Sequence, residues 1–246
     1  MLSWKSGLVS FLSSRGRDVD WMAEAILTQV RVAGFTAGLE AGAHARRGLL
    51  QTFDPRVVRR WKQLEPSHPV LFLWSTDRLA EGAPPCKSPD VDCADLSTLS
   101  SLLAVGVDVL APAMPLLLSS DGHRLNLSDG MRQLQTLVAD SGGAAATGTT
   151  PPTAPTTARI GTWSFERSGC PSANTTARLG NQPARTGPCG FYWEGLQGGS
   201  AFEHADALLA VDILLEAGVA GIFSDFPATV SAVANCRRRH TDRPQA

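Results

Sequence analysis

The sequence has no excess of charge of either sign: 22 Lys and Arg stand against 23 Asp and Glu, a formal net charge of −1. Such a chain exerts no broad attraction on nucleic acid or an anionic membrane, and neither is expected as a partner. Long apolar runs are missing too. None reaches the roughly 18 residues of a membrane span, so no transmembrane segment is expected. The opening MLSWKSGLVSFLSSRG has one lysine and a brief apolar patch, but no long hydrophobic region and no clear cleavage site. It does not read as a signal peptide. Cysteine is sparse and odd in number, 5 in all, with no CxxC pair of the kind that holds zinc. The basic run CRRRH at 236–240 is short and reads as a solvated tail.

What is present is an ordinary globular composition, 43% hydrophobic and 18% charged over 246 residues, enough for a real core. LLQTFDPRVVRRWKQL at 49–64 reads as a strand turning directly into a helix. Asp54 suits the N-cap, Pro55 the first helical position, and Val57, Val58, Trp61 and Leu64 one helical face. The same corner recurs as GIFSDFPATVSAV at 221–233. HPVLFLW at 68–74 is a continuous apolar run, the pattern of a strand buried on both faces. GVDVLAPAM at 106–114 and RIGTWSF at 159–165 supply two further strands. Helices are expected over 20–33, over 128–143 and from His204 to the Gly218 stop. The proline-bearing segment 80–98 reads as loop. A Thr/Pro/Ala insert at about 143–158 is expected to be disordered, and a Gly-, Asn- and Pro-rich excursion fills about 168–200. Five short buried strands alternating with helices imply a parallel α/β sheet, either doubly wound or a (β/α) barrel. Functional residues in both folds gather beyond the carboxyl ends of the strands.

Four segments in order, LLQTFDP, GVDVLAPAM, RIGTWSFERSG and GVAGIFSDFPATV, resemble the C-terminal portion of glycerophosphodiester phosphodiesterases. The likeness runs from about residue 20 to about residue 236, interrupted by the Thr/Pro insert. It implies a TIM-type (β/α) barrel that is incomplete, about the last five βα units, with the N-terminal strands missing. Residues 1–246 then form a single partial domain. The implied activity is that of a phosphoric diester hydrolase with a divalent cation, Ca²⁺ or Mg²⁺, cleaving a small glycerophosphodiester to glycerol 3-phosphate and an alcohol in lipid and glycerol metabolism. The family's His-Arg pair, Glu-x-Asp and Glu-x-Lys are absent, so the metal ligands and proton-transfer groups are not expected in this chain. His123-Arg124 matches the first pair in letters but lies in a polar loop at the wrong end of the family order.

The resemblance assigns the substrate-side wall to Gln51, Trp163 and Asp225, with Trp163 lining a glycerol pocket. Each has a plainer reading. Asp225 could cap the last helix, Trp163 could fill a barrel, and Gln51 needs hydrogen-bond partners wherever it points. Asp54 reads as a cap rather than a ligand. Glu166 and Arg167 face either a site mouth or each other as a surface pair. Glu203 and Asp206 read as first-turn carboxylates of a helix. His44, His68, His204 and His240 show no metal spacing and read as surface or loop residues.

The cysteines and two sequons, Asn126-Leu127-Ser128 and Asn174-Thr175-Thr176, favour an extracellular or secretory-pathway protein. There, Cys170–Cys189 and Cys86–Cys93 are the candidate disulfides, the former closing a loop worth about 3 kcal/mol, and Cys236 is left unpaired. Three functional readings stay open. The first is part of an active phosphodiesterase, inactive as this chain alone, and the second a non-catalytic descendant that binds a phosphodiester or a protein. An unrelated α/β enzyme is the third.

Overall fold

Five consecutive apolar residues, Val70–Trp74, form a strand in which every residue is buried. A strand covered on both faces belongs in the middle of a parallel sheet, and a computed structural model puts it there. The structure describes residues 19–33, 35–36, 46–77, 79, 93–120, 124–144, 158–165, 204–224 and 227–241. The principal sheet contains β1 (Leu50–Thr52), β2 (Val70–Trp74), β3 (Val109–Pro112), β4 (Arg159–Phe165) and β5 (Gly221–Ser224). These five strands lie side by side in chain order, and the registers of β1 on β2, β3 on β4 and β4 on β5 are parallel. The fold is mixed α/β, and each of the five strands read from the sequence is present. The helices are α1 (Val19–Val32), α2 (Pro55–Leu64), α3 (Leu96–Ala104), the single turn α4 (Met114–Leu117), α5 (Asp129–Ala144), α6 (His204–Glu216) and α7 (Pro227–Thr241).

The chain packs as two compact units, one made from residues up to Ala111 with Gln133–Ile160, the other from Pro112–Arg132 with Gly161 onward. In the first unit, α2 begins as its sequence dictates. Asp54 has extended backbone, its carboxylate accepts Arg56 N at 2.9 Å, and Pro55 occupies the first turn. Val57, Val58 and Trp61 of α2 are buried, and Met22 of α1 joins Val57 in a small cluster with Val19, Ile26 and Leu50. Ion pairs from Arg60 to Glu24 and from Arg31 to Glu65 tie α1 to α2 and its C-terminal turn. Phe72 and Trp74 of β2 stack with centroids 5.6 Å apart.

Helix α3 lies in the stretch read as loop and its continuation. Its signal is a cap: Asp95 accepts Thr98 N at 2.7 Å, and Leu99 and Leu102 fall three apart on the buried face. The helix then stops at Gly106, whose φ of +86° lies in the left-handed region that glycine tolerates. Gly106 N donates to Leu103 O and Val107 N to Leu102 O, each at 3.0 Å, which is the paired bonding of a Schellman stop.

In the second unit the same stop ends α6. Gly218 has φ +86°, Gly218 N donates to Leu215 O at 3.2 Å, and Val219 N to Leu214 O at 3.0 Å. Ala210, Val211, Leu214 and Val219 are buried there, with Met114, Leu117 and Met131. A hairpin, Leu118–Ser120 against Leu125–Leu127, is antiparallel and was not anticipated. Helix α7 opens at Pro227, as α2 opens at Pro55, and runs on to Thr241. CRRRH is therefore solvated, with Cys236, Arg238 and Arg239 exposed, but it is helical rather than a loose tail. Nothing in it breaks a helix, and Arg237 Nη1 reaches Asp212 Oδ1 of α6 at 2.7 Å and Glu216 Oε2 at 3.6 Å. The Thr/Pro insert from 145 to 157 and the excursion from 168 to 200 lie outside the described residues.

Candidate functional site

Two of the candidate residues, Gln51 and Trp163, lie on β1 and β4. In the middle of β1, Gln51 is half-buried beside Leu71 of β2, while Thr52 at its end is buried. Thr52 Oγ1 accepts Asp54 N at 3.1 Å, so the strand turns into α2 through a closed local network. The Asp54 carboxylate, 1% exposed, accepts the Arg56 side chain as well, Nη2 to Oδ2 at 2.7 Å. That hydrogen bond and charge raise the Arg56 pKa above its usual value, against a smaller opposing effect of burial. Asp54 is a helix cap with its oxygens engaged by its own corner.

Strand β4 carries the second candidate. Thr162 is fully buried, and its Oγ1 donates to Pro112 O at 2.9 Å. Trp163, the next residue, is half-buried and bridges to Ala113. The register of β4 on β5 shifts between Thr162 and Phe165, which bends the strand where Trp163 sits. Strand β5 ends at Ser224, and Asp225 lies outside the described residues, as do Glu166, Arg167, Glu203, His44, His123 and Asn174. Gln51 belongs to the first unit and Trp163 to the second; each is described in its own surroundings. Asp206 falls in the first turn of α6 and His204 is that helix's first residue, while His240 lies near the end of α7.

His68 is no surface histidine. It is 2% exposed, with its ring edge-on to Trp61 at 5.3 Å. Burial lowers its pKa, Glu65 and Asp108 pull it up, and Lys62 pushes it down. Lys62 is buried as well, its Nζ 2.7 Å from Asp108 Oδ2 and 3.2 Å from Pro66 O. The same Asp108 oxygen accepts Val70 N at 2.8 Å. This cluster, between the end of α2 and the starts of β2 and β3, is at the amino ends of the strands, where a parallel α/β sheet concentrates stability rather than catalysis. Asp108 lies 46 residues from Lys62 and 38 from Val70, which is why reading along the chain missed it.

Among the described residues, no three His, Cys, Asp or Glu side chains are grouped to hold a metal ion, so they offer no donor set for a divalent cation. An open apolar groove between α6 and α7, lined by Leu208, Leu209, Ala232, Val233 and Cys236 with the Asp212–Arg237 pair, contains none of the candidate residues. Cys93 is disulfide-bonded, and Cys236 is an exposed free thiol. No described helix is long and apolar enough to cross a membrane.

Comparison with known proteins adds one relative. A curated protein of Arthroderma benhamiae named "Extracellular protein" is 29% identical over 194 residues, 77% of this chain and 63% of the relative. The chain thus matches less than two thirds of that protein's length. No family model matches the chain, and no solved structure does.

Proposed function

We propose that the five strands belong to a (β/α) barrel of the glycerophosphodiester phosphodiesterase kind, and that this chain supplies the substrate-facing wall of its site. The observation that carries this reading is the strand order. A doubly wound sheet reverses its order at a switch point, whereas these five parallel strands follow chain order without reversal, as consecutive barrel strands do. Each of the four segments that carry the resemblance also supplies one strand, β1, β3, β4 or β5. In this reading Gln51 offers a polar contact, Trp163 an apolar wall for the glycerol carbons, and Asp225 an acceptor for a hydroxyl.

In this reading the carboxylates that would hold Ca²⁺ or Mg²⁺ and the histidines that would move protons belong to the family's His-Arg, Glu-x-Asp and Glu-x-Lys segments, which these 246 residues do not contain. The chain alone is then inactive, because proton transfer by positioned groups is worth about 10² to 10⁴ in rate. The disulfide at Cys93 and the relative's name support an extracellular setting. The absence of His-Arg followed by Glu-x-Asp in all 246 residues favours a second reading, a non-catalytic descendant that binds a phosphodiester or a protein.

The test is hydrolysis of glycerophosphocholine with added Ca²⁺ or Mg²⁺, by this chain and by the chain extended with its upstream coding sequence. The expected outcome is activity in the longer form only, reduced by Trp163→Ala and by Asp225→Ala. Equal turnover by the 246-residue chain refutes the reading. Binding of glycerophosphocholine without turnover in the longer form supports the non-catalytic descendant.

A further inference from the structure

Asn126 is the middle residue of the strand Leu125–Leu127, paired across the hairpin with Ser119. The strand reads half-buried, exposed, half-buried, so Asn126 projects into solvent while both leucines turn to the other face. Among the described residues its carboxamide makes no hydrogen bond. Leu127 and Ser128 complete an Asn-x-Ser acceptor with no proline in the middle position.

We propose that Asn126 carries an N-linked glycan, and that the Ser128 hydroxyl serves twice, first in acceptor recognition and then as the cap of α5. In the folded chain that hydroxyl is engaged both as donor and as acceptor. Its Oγ donates to Leu116 O at 2.6 Å and accepts Met131 N at 3.1 Å, while Ser128 N donates to Leu117 O at 2.9 Å. The Asn126 side chain is open, but the serine that must be read with it is locked into the helix start. Transfer therefore precedes the docking of α5, and closure of this corner competes with it. Once attached, the sugar stands on the solvent side of a two-stranded ribbon. There its bulk opposes pairing of that ribbon with another chain.

The inference rests on the extracellular reading and is tested independently of it, by secreting the full chain from eukaryotic cells behind an appended leader. Released peptides are mapped after peptide-N-glycosidase treatment, which converts a glycosylated Asn126 to aspartate. The expected result is conversion at Asn126, lost in Asn126→Gln with the circular dichroism spectrum unchanged. Ser128→Thr should keep it, since threonine is both a sequon residue and a cap. A secreted chain with its Cys93 disulfide formed and Asn126 unmodified overturns the proposal. Because the leader supplies entry to the pathway, neither the native compartment nor the outcome of the hydrolysis assay bears on this result.

Discussion

Replacing Asp108 with alanine tests whether the buried cluster beneath the sheet is held by charge. The Asp108 carboxylate meets Lys62 Nζ at 2.7 Å and Val70 N at 2.8 Å through one oxygen. Removing it leaves the Lys62 side chain, 5% exposed, with only the Pro66 carbonyl, and takes the acceptor from the first amide of β2. Breaking a buried pair from one side costs about 3–5 kcal/mol. Asp108 is 24% exposed, so water partly replaces it, and the lower end, about 3 kcal/mol, applies. Lys62→Met is the contrasting change. It leaves Asp108 accepting Val70 N and facing water, at a cost of about 1 kcal/mol. For a chain of this size those figures correspond to Tm losses of roughly 6–12 °C and roughly 2–4 °C. The double variant should cost less than the sum by about 1–2 kcal/mol, because the stranded ammonium is gone. Guanidinium unfolding followed by tryptophan fluorescence reads all three. Equal costs for the two single variants, with no coupling between them, would refute the argument.

Three further outcomes are expected. His68 is buried with a lowered pKa, so the unfolded chain takes up its proton first as pH falls past about 6.5. Stability is then complete above that pH and falls toward the lower folded value, and His68→Phe should flatten this part of the stability–pH profile. Gly106→Ala and Gly218→Ala should each cost about 1–2 kcal/mol in thermal unfolding, from backbone strain at positive φ alone, since an added Cβ meets nothing within 4 Å at either position. Iodoacetamide on the native, unreduced protein should alkylate the exposed Cys236, and Cys93 only after reduction.

The strands were legible because their burial is written into consecutive residues. Val70–Trp74 is apolar throughout, and Asp54-Pro55 marks the helix before it in two letters. Helix α3 was missed because the prolines upstream dominate the reading of 80–98, although Asp95 and the leucines after it carry a sufficient signal. The hairpin at 118–127 was missed because its strands span only three residues each, too short for alternation to register. His68 sits between Ser67 and Pro69, which reads as loop. Its burial comes from Trp61, an aromatic on the preceding helix, and no local pattern announces that. Of the candidate wall, Gln51 and Trp163 were located by the resemblance, and their half-buried positions on β1 and β4 are compatible with either a lining or a filling role.

The two identical helix stops, at Gly106 and Gly218, bear on how the protein is made. Each is finished within the last turn of its own helix, by bonds spanning at most five residues, and needs nothing that comes later in translation. Each releases the chain directly into a strand, Val109–Pro112 or Gly221–Ser224. Because sheet order equals chain order, the neighbour such a strand requires has always been synthesised before it. The sheet can therefore be laid down in step with elongation, growing at one edge. At every moment the newest strand is the sticky one, and the wait for its successor is the length of one helix and loop. That wait is longest after Arg159–Phe165, whose successor begins only at Gly221. A pause in synthesis over this interval is where an unfinished chain is most open to pairing with another.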